Sequence, residues 1–596
     1  MYVSITGRKG YEQVEIKEAI RVPGTDKRKQ YTVRRCGSLK ALTAQDPDYV
    51  EKLKAELKAK REKTTEDKTI SIVAKPRQIT RSEEQRASFY FGHMIVKWLW
   101  EEMGLDTFFN KNMAKRKNRE ALIIAIYNLL ALRLGSPASI RGASTKQKSR
   151  AGMKTISLDV LYSVLDALYE CKDDMVKHLS KFFEKNTKRD LKTVSYDVTN
   201  YYFESQKEGE FRLFGFSKEN KHNEVIVVMG LLIDSNGIPI TMRLFPGNTM
   251  DQNTLQDSID DLKKLYGFEK ITVIADRGMN SKENLVFLTS NDQHFLISYT
   301  LKKASEEIKK KCLEGDWQEI TTDDNGEIIY ATKVLDTTVE AKIELTEEER
   351  KKLEEERKAQ KKKGRTPKYK TVTVNAKLHV SYCAKRAAKD AHDRERAVEK
   401  ARKKIANGAA VQAVKYGCNK YIEFKEELKA TGIDEERIKE EAKWDGFYAV
   451  ITDNPDFTSE EVFSLHKTQW KIEECFRILK TDLEARPVYV WNDDHICGHF
   501  ILCYLALCMI RYLQYYLKTE HKIEMSAARI MESIREPLAV VSGEMPKSVI
   551  IPTNLDDDFI LLIDKLGFRR LETEMTPTRF RAITKLDLLD QLNSLE

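Results

Sequence analysis

No two of the nine cysteines, which run from Cys36 to Cys508, form a CxxC pair, and this argues against both a zinc ribbon and a disulfide framework. Reduced thiols fit a cytoplasmic protein. No apolar run reaches the roughly 20 residues that a membrane-spanning helix needs; the longest, Phe500 to Ile510, is closed by Arg511. The N-terminal MYVSITGRKGYEQ has charge and strand-like alternation but no apolar h-region, so a secretory signal is not expected. No internal repeat of roughly 20–50 residues is visible. A short cluster, His495-Ile496-Cys497-Gly498-His499, has ligand-type residues. It opens an apolar helical stretch, so packing is favoured over metal binding.

What is present points to a large, highly charged, globular chain. Its 596 residues exceed what one core usually organises, and 41% hydrophobic with 33% charged residues supplies real cores under a charged surface. The net charge of +9 is modest but uneven, with basic runs at Lys58-Ala59-Lys60-Arg61, Lys115-Arg116-Lys117-Asn118-Arg119 and Lys361 to Arg365. Such runs suit phosphate contacts, whose strength comes from charge neutralisation and counterion release. Taken singly, each also fits a solvated face.

Pattern changes along the chain divide it. Residues 1–80 read as a small appendage of short strands and a charged helix, and 81–190 as a helical region broken at Gly135-Ser136-Pro137. Three strands follow, Thr193 to Phe203, Val225 to Ile233 and Ile238 to Phe245, the last two joined by the turn Asp234-Ser235-Asn236-Gly237. A helix from Gln252 leads to Ile271-Thr272-Val273-Ile274-Ala275, apolar enough to be buried on both faces. A second helix and a strand at Phe295 to Ser298 complete a mixed sheet of the ribonuclease H type over 191–298. Charged helices and polar strands at 299–443 read as an inserted domain. The core resumes at 444–515 with Gly446 to Ile451 and a helix from Ser459 to about Leu483, and 516–596 reads as helical.

Three acids stand out. Asp197 lies in the strand Val194 to Thr199, on a face with Ser195, Thr199 and Tyr201. An unpaired buried carboxylate there is costly, so it needs water, a cation or a donor; an edge strand turned to solvent is the plainer alternative. Asp276 follows a buried strand at its carboxyl end, the rim where open α/β sheets bind ligands, although a turn-forming Asp is equally consistent. Glu473 lies in a helix where, at about 100° per residue, His466, Gln469, Glu473, Arg477 and Lys480 fall within roughly 80° of one another. Ile472, Cys475, Phe476 and Leu479 gather on a neighbouring arc that would dock this helix on the sheet.

Five blocks in order, Tyr196 to Glu204, Gly215 to Glu219, Phe245 to Asp251, Ala275 to Met279 and Trp470 to Thr481, resemble the catalytic blocks of DDE transposases of bacterial insertion sequences. The branch is the one marked by a Tyr, Arg, Glu, Lys signature. The resemblance implies that Asp197, Asp276 and Glu473 are catalytic and hold two Mg²⁺ or Mn²⁺ ions, the hard cations that oxygen ligands favour. It implies that Lys480 and Arg477 bind DNA phosphates, with His466, Gln469, Arg277 and Arg116 among further DNA contacts. His466 stands where the branch has Tyr and Gln469 where it has Arg; losing the Arg fork weakens bidentate phosphate binding. The partners implied are double-stranded DNA, as terminal inverted repeats and target, and a second copy of the chain, in the bacterial cytoplasm at the nucleoid, with no membrane. Residues 1–190 are the candidate for end recognition, with Tyr90, Trp98 and Arg116 among possible contacts. The alternatives are a nuclease of the same fold that cuts without joining and a catalytically inactive DNA-binding descendant.

Overall fold

The computed structural model describes residues 2–21, 28–66, 88–216, 223–267, 270–279, 281–314, 316–345, 347–359, 367–407, 417–424, 430–542, 548–588 and 591. The basic run 361–365 and part of the block 215–219 lie outside them. The chain forms two compact units, Met1–Ser82 and Glu83–Glu596. The first contains an antiparallel sheet of Tyr2–Thr6, Gln13–Arg21 and Arg28–Ser38. Its small core joins Val14 and Ile16 to Leu53 of the helix Tyr49–Glu66.

The second unit is built on a nine-stranded sheet. In chain order its strands are β1 (Thr193–Tyr202), β2 (Ile226–Ile233), β3 (Pro239–Pro246), β4 (Thr272–Ala275), β5 (His294–Ser298), β6 (Glu319–Thr322), β7 (Ile328–Glu344), β8 (Tyr369–Cys383) and β9 (Phe447–Thr452). Across the sheet the order is β6-β7-β8-β9-β5-β4-β1-β2-β3. Strands β1, β2 and β3 form an antiparallel meander, while β4 pairs parallel with both β1 and β5. This is the mixed sheet expected from the sequence. The β2–β3 turn is fixed by Asp234, whose Oδ1 accepts the N–H groups of Asn236 and Ile238, both at 2.9 Å. Gly237 there has φ +82°, which suits glycine. Arg189 donates to Asp234 Oδ2 at 2.8 Å, and both side chains are buried.

Residues 299–443 do not stand apart as an inserted domain. Their long strands β7 and β8 pair from Tyr330↔Cys383 to Glu344↔Tyr369, and β8 continues the central sheet by pairing with β9. Helix α1 (Ala384–Ala406) follows β8.

Alternation along the strands sorts two apolar faces. Val194, Tyr196 and Val198 with Val273, Ala275, Phe295 and Ile297 meet the helices Leu255–Tyr266 and Lys282–Ser290. On the other face, α2 (Ser459–Lys467) covers Ile274, Leu296 and Val450 with Val462 and Phe463. Next to it α3 (Trp470–Arg477) and α4 (Asp493–His521) join Tyr201, Val227, Met229 and Leu231 in the largest core. By length and composition α4 could cross a membrane, yet its apolar window is wholly buried inside the protein. The helical regions at both ends of this unit share that core. The segment 516–596 also contributes two strands, Leu538–Ser542 and Val549–Thr553, and the first of these pairs with Ser88–Tyr90.

Candidate active site

Parallel pairing of β1 with β4 ends at Tyr196↔Ala275, so Asp197 is the next residue of β1 and Asp276 the first residue past the end of β4. Tyr196 and Ala275 both face the core under Leu255–Tyr266. By the two-residue period, Asp197 therefore belongs to the opposite face, the one that α2 and α3 cover, and Asp276 lies near enough to His466 of α2 to act on its charge. Asp197 is half-buried and its Oδ1 accepts the Val198 N–H at 2.7 Å, while Asp276 is exposed.

Glu473 reaches this face on α3. Ile472, Cys475 and Phe476 are buried while Glu473 is exposed, which is the docking arc read from the sequence. Helix α3 packs on β1 and β2 and is pinned to the β2–β3 turn at several points. Lys471 Nζ donates to the Ser235 carbonyl at 2.6 Å and Cys475 Sγ to the Gly237 carbonyl at 3.5 Å. Arg511, from α4, donates to Glu474 Oε2 at 2.6 Å and to the Gly237 carbonyl at 2.9 Å. Asp197 and Glu473 thus share one side of the sheet, and Asp276 stands just past the end of β4. Among the described residues, no three His, Cys, Asp or Glu side chains converge to metal-ligand reach.

The single stripe expected from His466 to Lys480 is not present, because the helix is broken. Segment α2 ends at Lys467, where Thr468 Oγ1 donates back to the Leu465 carbonyl at 2.6 Å. After α3 the chain widens into a π-helical turn, Ile478–Asp482. A helical wheel assumes a constant 100° step, and two changes of winding invalidate it. His466, near the end of α2, turns towards the sheet. Its Nε2 is 2.6 Å from Ser298 Oγ and 2.9 Å from Tyr448 Oη. Burial pushes its pKa down to about 4, against an upward pull from Asp276 and with a downward push from Arg386. The imidazole is therefore neutral at pH 7 and held close to Asp276.

The other expected contacts fall in several places. Gln469 precedes α3 and is half-buried. Arg477 pairs with Asp482 at 3.0 Å. Lys480 Nζ lies 5.5 Å from the centre of the Tyr201 ring, on the Asp197 side of β1. Arg277 is exposed directly after Asp276. Arg116 is tied to Glu170, Trp98 packs against Tyr516 with ring centres 5.4 Å apart, and the Tyr90 ring lies under Arg150 at 4.6 Å. The cluster at 495–499 is structural: His495 meets Asp166 at 3.2 Å, and buried His499 bonds the Ala485 carbonyl at 3.1 Å. Sequence reading missed Ser298, Tyr448 and Arg511. The two partners of His466 come from strands that only the fold brings to α2, and Arg511 was visible only as the charge ending an apolar run.

A sequence model of the family described as Transposase DDE domain matches residues 189–509, more than half of the chain. The chain belongs to the DDE transposase family. For this transposase the match opens just before β1 and closes within α4, just short of Arg511, so it takes in all three acids and the segment between them. Among solved structures, the cryo-EM structure of a piggyBac transposase synaptic complex with hairpin DNA is similar at 9% identity with a TM-score of 0.32. That similarity covers 74% of this chain and 76% of that one. No curated protein matches the chain.

Proposed function

We propose that this transposase cleaves DNA at the ends of a mobile element and joins them to target DNA, with Asp197, Asp276 and Glu473 as its catalytic acids. The observation that carries this reading is that Asp197 on β1 and Asp276, just past the end of the neighbouring parallel strand β4, follow the paired residues Tyr196 and Ala275, beside the helices α2 and α3 that cover one face of the sheet. The donor set fits Mg²⁺ or Mn²⁺, since carboxylates are hard oxygen ligands and zinc would favour His and Cys. Asp197, Asp276 and Glu473 would hold the ions between them. When bound, such ions activate the attacking oxygen and stabilise the leaving one.

The chain's own residues bind and position. Lys480 and Arg477 hold phosphates of the element end, and Gln469 lies at the start of the same helix. His466 braces the Asp276 rim rather than serving as a phosphate donor, because Ser298 and Tyr448 already engage its ring. In the first step a water oxygen attacks the scissile phosphorus and the 3′ oxygen departs as a hydroxyl; in the second, the oxygen of that hydroxyl attacks a target phosphorus and gives up its proton, while the target's own 3′ oxygen departs from that phosphorus and takes up a proton to leave as a hydroxyl. The reading extends to a bacterial insertion sequence and to a homodimer on DNA.

The test is incubation of purified protein with labelled DNA carrying the element ends, in Mg²⁺ or in EDTA, beside an Asp197→Asn, Glu473→Gln double variant. Expected are metal-dependent cleavage and a strand-transfer product, both reduced on the order of 10³-fold in the variant, the scale of losing preorganised charge stabilisation. Cleavage without joined product would mean a nuclease, and binding without cleavage an inactive descendant.

A further inference from the structure

Helix α1 is anchored on one side, where Val398 and Ala401 are buried with Tyr421 and Ile422. Beside that anchor runs a groove of about 910 Å³, walled by Arg277, Asp393, Arg396, Lys400 and Lys420. An adjoining hollow of about 360 Å³ shares Asp393 and Lys420 with it. In the hollow, charges cancel: Arg394 pairs with Asp445, Lys420 with Glu441 at 2.7 Å, Lys302 with Glu441 at 3.7 Å and Arg386 with Asp390 at 3.8 Å. In the groove they do not. Among the described residues, Arg277, Arg396 and Lys400 form no ion pair, and Asp393 is the only acid in the wall.

Three exposed cations collected on a concave surface repel one another and raise the local positive potential. Two of them, Arg396 and Lys400, are one helical turn apart, about 6 Å along the axis. The third, Arg277, is covalently next to Asp276. We infer that this groove is a track for the phosphate backbone of DNA, leading to the Asp276 rim. The inference rests on the transposase reading and gives the segment between Asp276 and Glu473 a part in substrate binding. The backbone could be that of the element end or of the target, which carry the same phosphates.

Binding of the full-length protein to two labelled duplexes, one of arbitrary sequence and one carrying the element end, separates the possibilities. Fluorescence anisotropy in EDTA over a NaCl series gives the slope of log affinity against log salt. An Arg396→Gln, Lys400→Gln variant should flatten that slope by about 1.8, at roughly 0.9 per phosphate contact. A charge-preserving Arg396→Lys, Lys400→Arg variant should keep it. A Lys351→Gln, Lys352→Gln control, on the exposed helix Glu347–Ala359, should keep it as well. Flattening on the arbitrary duplex alone identifies target DNA, and on the end duplex alone the element end. A groove variant with the wild-type slope on both duplexes overturns the track and leaves the transposase reading standing. Wild-type protein that binds neither duplex at low salt overturns both.

Discussion

Burial holds the imidazole pKa of His93 and His499 down at about 3 and that of His379 and His466 at about 4, because loss of hydration outweighs every charge near them. In the unfolded chain each would titrate near the ordinary value of about 6.5. As pH falls, the unfolded chain therefore takes up these protons first. The stability they confer is fully present above pH 6.5 and is lost as pH falls from there to about 4 for His379 and His466 and to about 3 for His93 and His499. Each group contributes a slope of up to about 1.4 kcal/mol per pH unit in that window. Urea unfolding midpoints should drop steeply from pH 6.5 to 5, above the range in which most carboxylates titrate, and His466→Gln should flatten that slope by one group's share. A midpoint constant across that interval would mean that these rings are hydrated. Lys480 offers a second check at the same scale. Its ammonium sits over Tyr201 on the Asp197 side of β1, so Lys480→Ala should weaken DNA binding and lower the salt slope by about 0.9; an unchanged slope would assign Lys480 to the fold.

Helix α3 carries Glu473, the proposed catalytic glutamate, but contributes only eight residues, too few to hold its own position. Arg511 supplies much of what it lacks, joining Glu474 to the β2–β3 turn from a site that is 7% exposed. Arg511→Met removes one partner of a largely buried ion pair, which typically costs about 3–5 kcal/mol. The expected outcome is a lower melting temperature and slower cleavage, with end-DNA affinity little changed because the phosphate-binding groups remain. Equal losses in affinity and cleavage would place Arg511 in DNA contact instead. The sequence disclosed the strands around this helix because period-two alternation and the Asp234 turn are local signals. It disclosed where the two aspartates fall in the sheet, Asp197 within β1 and Asp276 just past the end of β4, because both strands are marked by local pattern. The break at Thr468 was not legible, since it arises from α2 and α3 docking on different strands, and nothing in the residues themselves stops a helix there. Nor was the true place of 299–443: β7 and β8 are 17 and 15 residues long, but their membership of the central sheet depends on pairing β8 with β9, some 70 residues on. The three-residue strand Ser88–Tyr90 pairs across about 450 residues and leaves no local trace.

Helix α4 ties the catalytic and helical halves of the second unit together. Arg511 reaches α3, and Tyr504 Oη donates to the Ile240 carbonyl of β3 at 2.9 Å. Phe500 packs edge-on against Tyr201 of β1, with ring centres 4.8 Å apart. On its other side Gly498 lies against the Leu165 backbone of the helix Leu158–Glu170, so closely that a Cβ would collide with that main chain. Backbone cannot yield as a flexible side chain can, so Gly498→Ala must push the two helices apart and should cost at least about 1–3 kcal/mol. Because one continuous core spans both halves, the loss should lower a single calorimetric transition of residues 83–596, with the catalytic sheet and the helical region melting together. The unit Met1–Ser82 has its own small core, and deleting it should leave that transition in place. If Gly498→Ala instead splits the transition, melting the helical region while the sheet stays folded, then α4 is not the shared support, and the position of α3 on β1 and β2 depends on the sheet alone.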